Sequence, residues 1–203
     1  MMTPDFTRKP TLEGELIILR PATALDTPAL SAGMDDAETA RLTGSIHSDD
    51  DDPAGPWSLA ELETIYERWS TADDRIVWAI VERSSGAVVG ESVLNDLDVA
   101  NLSCGFRIWI SGARDRGLGT EATRLTMRHA FEEQGLNRVG LEVFDFNPRA
   151  RRVYEKVGFV LEGTRREALR YNGEWVDAHD MAILAREWRV HRGNSERGAA
   201  VPA

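Results

Sequence analysis

Short apolar runs bounded by turn residues recur along this chain, with helical spacing between several of them. Glu15 to Arg20 predicts a first strand, and a short helix is expected from about Thr23 to Asp36. Ser48 to Pro56 carries a run of four aspartates and two prolines, which suit neither helix nor ladder, so it reads as a loop. Ser58-Leu59-Ala60-Glu61 matches a capping box and predicts a helix through Tyr66 and Trp69. Strands follow at Ile76–Val81, Ala87–Leu94 and Ser103–Ile110, with connections short enough for antiparallel neighbours. The chain then changes character. A glycine-bearing loop leads into a helix from Leu118 to Gln134, then a strand at Val139–Phe144. Asn147-Pro148 opens a second helix that ends at Val157-Gly158, and strands at Phe159–Leu169 and Val176–Leu184 follow. The expected fold class is α+β: a mixed, mostly antiparallel sheet of about seven strands flanked by about four helices, with one strand–helix–strand crossover.

Composition narrows this picture. A chain of 203 residues, 42% of them apolar, suits one packed domain, placed at residues 12–190 with loose termini at 1–11 and 191–203. Apolar runs are too short to cross a bilayer, and the first ten residues show no secretory signal, so a cytoplasmic protein without membrane contact is expected. The single cysteine, Cys104, permits neither an internal disulfide nor a cysteine-cluster metal site. His47, His129, His179 and His191 lack metal-ligand spacing and are read as non-catalytic, so no metal is expected. A formal charge of −10 argues against non-specific nucleic-acid binding. The Asp49–Asp52 run reads first as a solvated loop and second as an attractor of a cationic acceptor.

The loop before the Leu118 helix is the first candidate for chemistry. A diphosphate needs backbone N–H donors converging at a helix N-terminus, and glycines let the backbone approach it. Arg114-Asp115-Arg116-Gly117-Leu118-Gly119-Thr120 supplies those parts, with Arg114 and Arg116 adding positive charge. An ordinary tight turn with solvated arginines remains the competing reading of the isolated motif. Gly117 to Ala122 also reads G-x-G-x-x-A, the fingerprint of a nicotinamide-binding fold, but that motif belongs to a parallel doubly wound sheet, and antiparallel strands precede it here.

A second block lies between Leu141 and Phe159. Ala150, Val153, Tyr154 and Val157 share one helix face, so Tyr154 points inward, either as a core tyrosine or toward a cleft. Glu142 alternates with Leu141 and Val143 and faces the other side of its strand, where it needs a partner or a cleft. Asn147 is a natural N-cap before Pro148.

Arg114–Gly119 and Leu141–Phe159, in this order and spacing, resemble the GCN5-related N-acetyltransferase (GNAT) superfamily. The tail from Leu161 to Arg166, Tyr171 to Asp180 and Glu187-Trp188 resembles the branch containing the ribosomal-protein N-terminal (RimJ/RimL-type) acetyltransferases. The likeness runs from about Leu12 to Trp188. It implies acetyl-CoA as co-substrate and an amine as acceptor, a protein N-terminus or a small molecule, with direct attack and no covalent intermediate. It implies Tyr154 as the acid that protonates the coenzyme sulfur and Glu142, twelve residues earlier, as general base, with Glu91, Glu121 or water as alternatives. Coenzyme contacts are implied for Trp109, Ile110, Arg114, Arg116, Gly117, Leu118, Gly119, Thr120, Asn147, Arg152 and Tyr154. A larger donor such as succinyl-CoA, a non-catalytic CoA-binding sensor, and a monomer, homodimer or larger homo-oligomer all stay open on the sequence.

Overall fold

A computed structural model of the chain describes residues 3–112 and 116–199. Its strands are β1 (Leu12–Glu13), β2 (Ile17–Pro21), β3 (Ile76–Glu82), β4 (Val88–Asp98), β5 (Ser103–Ile110), β6 (Arg138–Phe144), β7 (Val160–Tyr171) and β8 (Glu174–Leu184). The helices are α1 (Thr27–Met34), α2 (Ala37–Thr43), α3 (Leu59–Thr71), α4 (Leu118–Arg128), α5 (Pro148–Val157) and α6 (Ala185–Ala199). One eight-stranded sheet runs in the order β1-β2-β3-β4-β5-β6-β8-β7. Its described neighbours are antiparallel except β5 and β6, so the parallel doubly wound sheet of a nicotinamide fold is not what this chain builds.

Local chemistry sets most of these boundaries. Ser58 and Glu61 cap α3 reciprocally, with each side chain accepting from the other's backbone N–H. Asn147 Oδ1 accepts from the Ala150 N–H and Pro148 takes the first position of α5. Gly158, at φ 115°, ends that helix in a left-handed turn closed by the Gly158 and Phe159 N–H groups. The run Ile76 to Ile80 is buried throughout because β3 sits inside the sheet with helices over both faces.

Four expectations need correction. The sheet has an eighth, two-residue strand, β1. The single helix expected from Thr23 is a 3-10 turn (Ala24–Asp26) followed by α1 and a separate α2, because Asp36 caps a new helix through the Thr39 N–H. The Leu118 helix finishes in a π-helical segment, His129–Glu133. The first ten residues are packed where they are described, and α6 runs on through the expected tail as far as Ala199. Phe6 is buried in the main core, Lys9 Nζ donates to the carbonyls of Phe6, Ala72 and Arg75, and the Trp78 indole donates to Pro10. The other end is α6, anchored by Trp188, which stacks on Phe131 and donates to Glu132.

Glu121 shows how α4 is fixed to the sheet. Its carboxylate accepts the backbone N–H groups of Glu15, Leu16 and Ile17 at 2.6, 2.8 and 3.0 Å. Gly14 leaves room for it, since a Cβ there would stand 2.7 Å from the carboxylate carbon and push the carboxylate aside. Glu121→Ala leaves these donors without their acceptor and is expected to cost about 1–3 kcal/mol. Urea denaturation should show a lower midpoint at unchanged m-value; a midpoint equal to the parent's would refute this anchoring role.

Candidate active site

The site begins where two strands part. β5 and β6 pair only through Ser103–Gly105 and Arg138–Gly140. Beyond them β5 stays paired to β4 up to Ile110, and β6 stays paired to β8 up to Phe144. The facing edges therefore carry unpaired backbone donors and acceptors, a slot suited to an extended chain of amides. A cleft of about 1010 Å³ occupies this gap.

The gap joins the two faces of the sheet. On one face Phe106 packs edge-on against Tyr154 of α5, and Leu141 and Val143 belong to the same core. Alternation puts Arg107, Trp109, Glu142 and Phe144 on the other face. There α1 lies on Trp109, since a Cβ on Gly33 would stand 2.5 Å from its ring, and the end of α2 lies on Phe144, 2.6 Å from a Cβ on Gly44.

The α4–α5 face gathers much of the predicted coenzyme set. Gly117 caps α4 at φ 81°, a left-handed conformation that glycine adopts without strain. Gly117, Leu118, Gly119 and Thr120 line the cleft, so the first turn of α4 presents its N–H groups there. The N-cap Asn147 and Arg152 and Lys156 of α5 line it here, with Ile110 from β5, while Trp109 lines it from the opposite face. Arg116 is placed differently: its guanidinium pairs with Glu82, and it is outside the cleft lining. Arg114 lies outside the described residues. Arg151 is turned away, paired with Glu155 at 3.0 Å.

Tyr154 is buried among Phe106 and Phe159, with its remaining exposure toward the cleft. Burial pushes its hydroxyl above the ordinary phenol range. No hydrogen-bond partner for that hydroxyl exists among the described residues. Glu142 also lines the cleft, and its carboxylate pairs with Arg165 of β7, which reaches Asp180 as well at 3.3 Å. Cleft-lining and ion pairing, the two readings of Glu142, thus coexist.

The alternative bases sit elsewhere. Glu121 is committed to the β1–β2 backbone. Glu91 lies beside Trp109 across the β4–β5 pair, buried, and accepts the Tyr66 hydroxyl. Burial pushes its carboxyl up against the opposing pull of Tyr66, Arg107 and the Trp109 indole. His179 has both ring nitrogens engaged, Nδ1 with Thr164 at 3.1 Å and Nε2 with Asp145 at 3.0 Å, consistent with a structural residue.

Several cleft residues escaped the sequence reading because α2 did. Glu38, Arg41 and Thr43 line the cleft from α2, and Phe146 joins them. Arg41 stacks over Phe146 at 5.0 Å. The acidic loop behind them is exposed at Asp49–Asp52 and is also anchored at Asp49, which takes the Tyr171 hydroxyl at 2.5 Å and the Asn172 amide at 2.7 Å. The Asp36 capping position was the readable signal for this helix.

Comparison with known proteins agrees with this architecture. YdaF of Bacillus subtilis strain 168, named as a candidate ribosomal N-acetyltransferase, is 36% identical over 104 residues, covering 51% of this chain and 57% of YdaF. A GCN5-related N-acetyltransferase structure from Brucella melitensis superposes with a TM-score of 0.73 at 27% identity, over 94% of this chain and 86% of that one. The spermidine N-acetyltransferase of Vibrio cholerae, solved with CoA and spermine, shares the fold at a TM-score of 0.76 and 21% identity, over 87% and 99% of the two chains. The acetyltransferase (GNAT) domain family matches residues 17–160, which include β2 to β6 and the cleft-lining helices α2, α4 and α5. The chain therefore belongs to the GNAT acetyltransferase family.

Proposed function

We propose that this protein transfers an acetyl group from acetyl-CoA to an amine, either a protein N-terminus or a small molecule, by direct attack. The observation that carries this reading is the parting of β5 and β6 beyond Gly105 and Gly140, with the α4 N-terminus at the side of the gap. The edge of β5 pairs with the amides of the coenzyme's pantetheine arm, and the first turn of α4 takes its pyrophosphate. Arg152 and Lys156 supply positive charge on the α5 side.

Attack comes from the opposite face of the sheet. The amine nitrogen bonds to the thioester carbonyl carbon, the C–S bond breaks, and the thiolate takes a proton from Tyr154 Oη. The ammonium formed on the acceptor gives up its proton toward Glu142 through water. Glu142 is paired with Arg165, and water relays the proton without that ion pair opening. Cys104 is buried and its thiol is pushed up to about 12, which fits a route without an acyl-cysteine.

Mass spectrometry of peptide and small-amine panels with acetyl-CoA and succinyl-CoA tests the reading. An acetylated amine and free CoA in equal amounts are expected. Tight CoA binding without turnover across the panel would instead identify a binding protein, and transfer only from succinyl-CoA would reassign the donor.

A further inference from the structure

Charge on the α1–α2 face of the gap does not balance locally. Glu142 is held by Arg165, and Glu38 also has a partner. Arg41 stacks on Phe146 and Tyr171, and its charge is felt by Asp49 in the anchored loop. Arg107 differs from all of these. It lines the cleft, it is exposed, and no ion pair or hydrogen bond links its side chain to another described residue. The acid that feels its charge, Glu91, is on the same sheet face beside Trp109 but buried under α3, and its carboxyl is engaged by Tyr66.

Position makes this charge matter. Arg107 is two residues before Trp109 on the same face of β5, about 7 Å along the strand. Coenzyme contacts at Trp109 and Ile110, implied by the family resemblance, bring the amine to this part of the gap. A guanidinium at that distance meets a group a few bonds from the amine, and its fork of donors matches a carboxylate. The protein's overall charge of −10 would draw polycations, so a cation without an ion pair inside the acceptor mouth works against the general field.

We propose that Arg107 forms an anion subsite in the acceptor half of the cleft and selects an amine that also bears a carboxylate, an amino acid rather than a polyamine. The inference rests on the acetyl-transfer reading, and its test separates the two. Initial rates with acetyl-CoA are compared for leucine, leucinamide and spermidine. The parent enzyme is expected to favour leucine over leucinamide by about tenfold or more in kcat/KM, the scale of one charge-assisted contact. Spermidine should be poorer still. Arg107→Met should bring leucine and leucinamide within about twofold of each other by lowering the leucine value, with Arg107→Lys between. Acetyl-CoA affinity by calorimetry should be unchanged in Arg107→Met, since the coenzyme lies on the other face.

Equal rates for leucine and leucinamide in the parent overturn the subsite, as does a preference that survives Arg107→Met. Preferred turnover of spermidine overturns it too, and leaves acetyl transfer standing. A parent protein that binds no acetyl-CoA removes both the subsite and the function beneath it.

Discussion

Tyr154→Phe is expected to lower kcat by about 10²–10⁴-fold, the range of a single general acid, while acetyl-CoA affinity changes less than about threefold. Only the hydroxyl is removed, and the ring keeps its packing against Phe106 and Phe159. Folding should not suffer. The hydroxyl has no hydrogen-bond partner among the described residues, so its loss strands no donor or acceptor there. The melting temperature is expected to equal or slightly exceed the parent's. A structural tyrosine would behave in the opposite way, with reduced stability and intact kcat. The pH profile gives an independent check. Burial raises the Tyr154 pKa, so the acid form persists through neutral pH and is lost only above the ordinary phenol value. The parent's kcat should therefore show no tyrosine-dependent fall up to about pH 10. An alkaline limb well below that, absent in Tyr154→Phe, would count against a buried acid.

Local signals were the legible part of this fold. The capping box at Ser58 and Glu61, the Asn147-Pro148 start and the Gly158 stop each mark a helix end through neighbours in the chain. Strands β3 to β6 begin and end within a few residues of their expected positions, because burial imprints short apolar runs. What stayed hidden depends on partners far away in sequence. The tail from Gly193 has little apolar content of its own, and α6 is secured earlier in the helix, by Trp188 on Phe131 and Glu132. Arg116 looked like a phosphate ligand until Glu82 of β3 was placed beside it. Glu121, an alternative base on the sequence, is held by the β1–β2 backbone, which lies more than a hundred residues away. The cleft itself is a case of missing pairing, set by how few residues β5 and β6 share. Motifs can name the residues around such a gap, but only the register shows that it opens.

That gap and the α4 N-terminus make the two loop glycines separable by experiment. Gly119→Val is expected to weaken acetyl-CoA binding by about 100-fold or more, equivalent to losing about two charge-assisted hydrogen bonds to phosphate. The fold itself leaves room at this position: a Cβ on Gly119 meets only Ile110 Cδ1, at an ordinary 3.7 Å. Gly119→Ala should therefore be as stable as the parent or up to about 1 kcal/mol more stable, since alanine is the better helix former. Its coenzyme affinity should nonetheless fall, because the added methyl group stands on the turn that faces the cleft. Gly117→Ala carries the reverse burden. At φ 81° any side chain is strained, and about 1–2 kcal/mol of folding stability should be lost along with affinity. Calorimetry with acetyl-CoA and denaturant titration of both alanine variants separate these contributions. Lost affinity with unchanged or increased stability at Gly119 is the outcome that identifies a backbone surface reserved for a ligand. Unchanged affinity in Gly119→Val would remove the pyrophosphate from this helix end, whatever the stability of either variant.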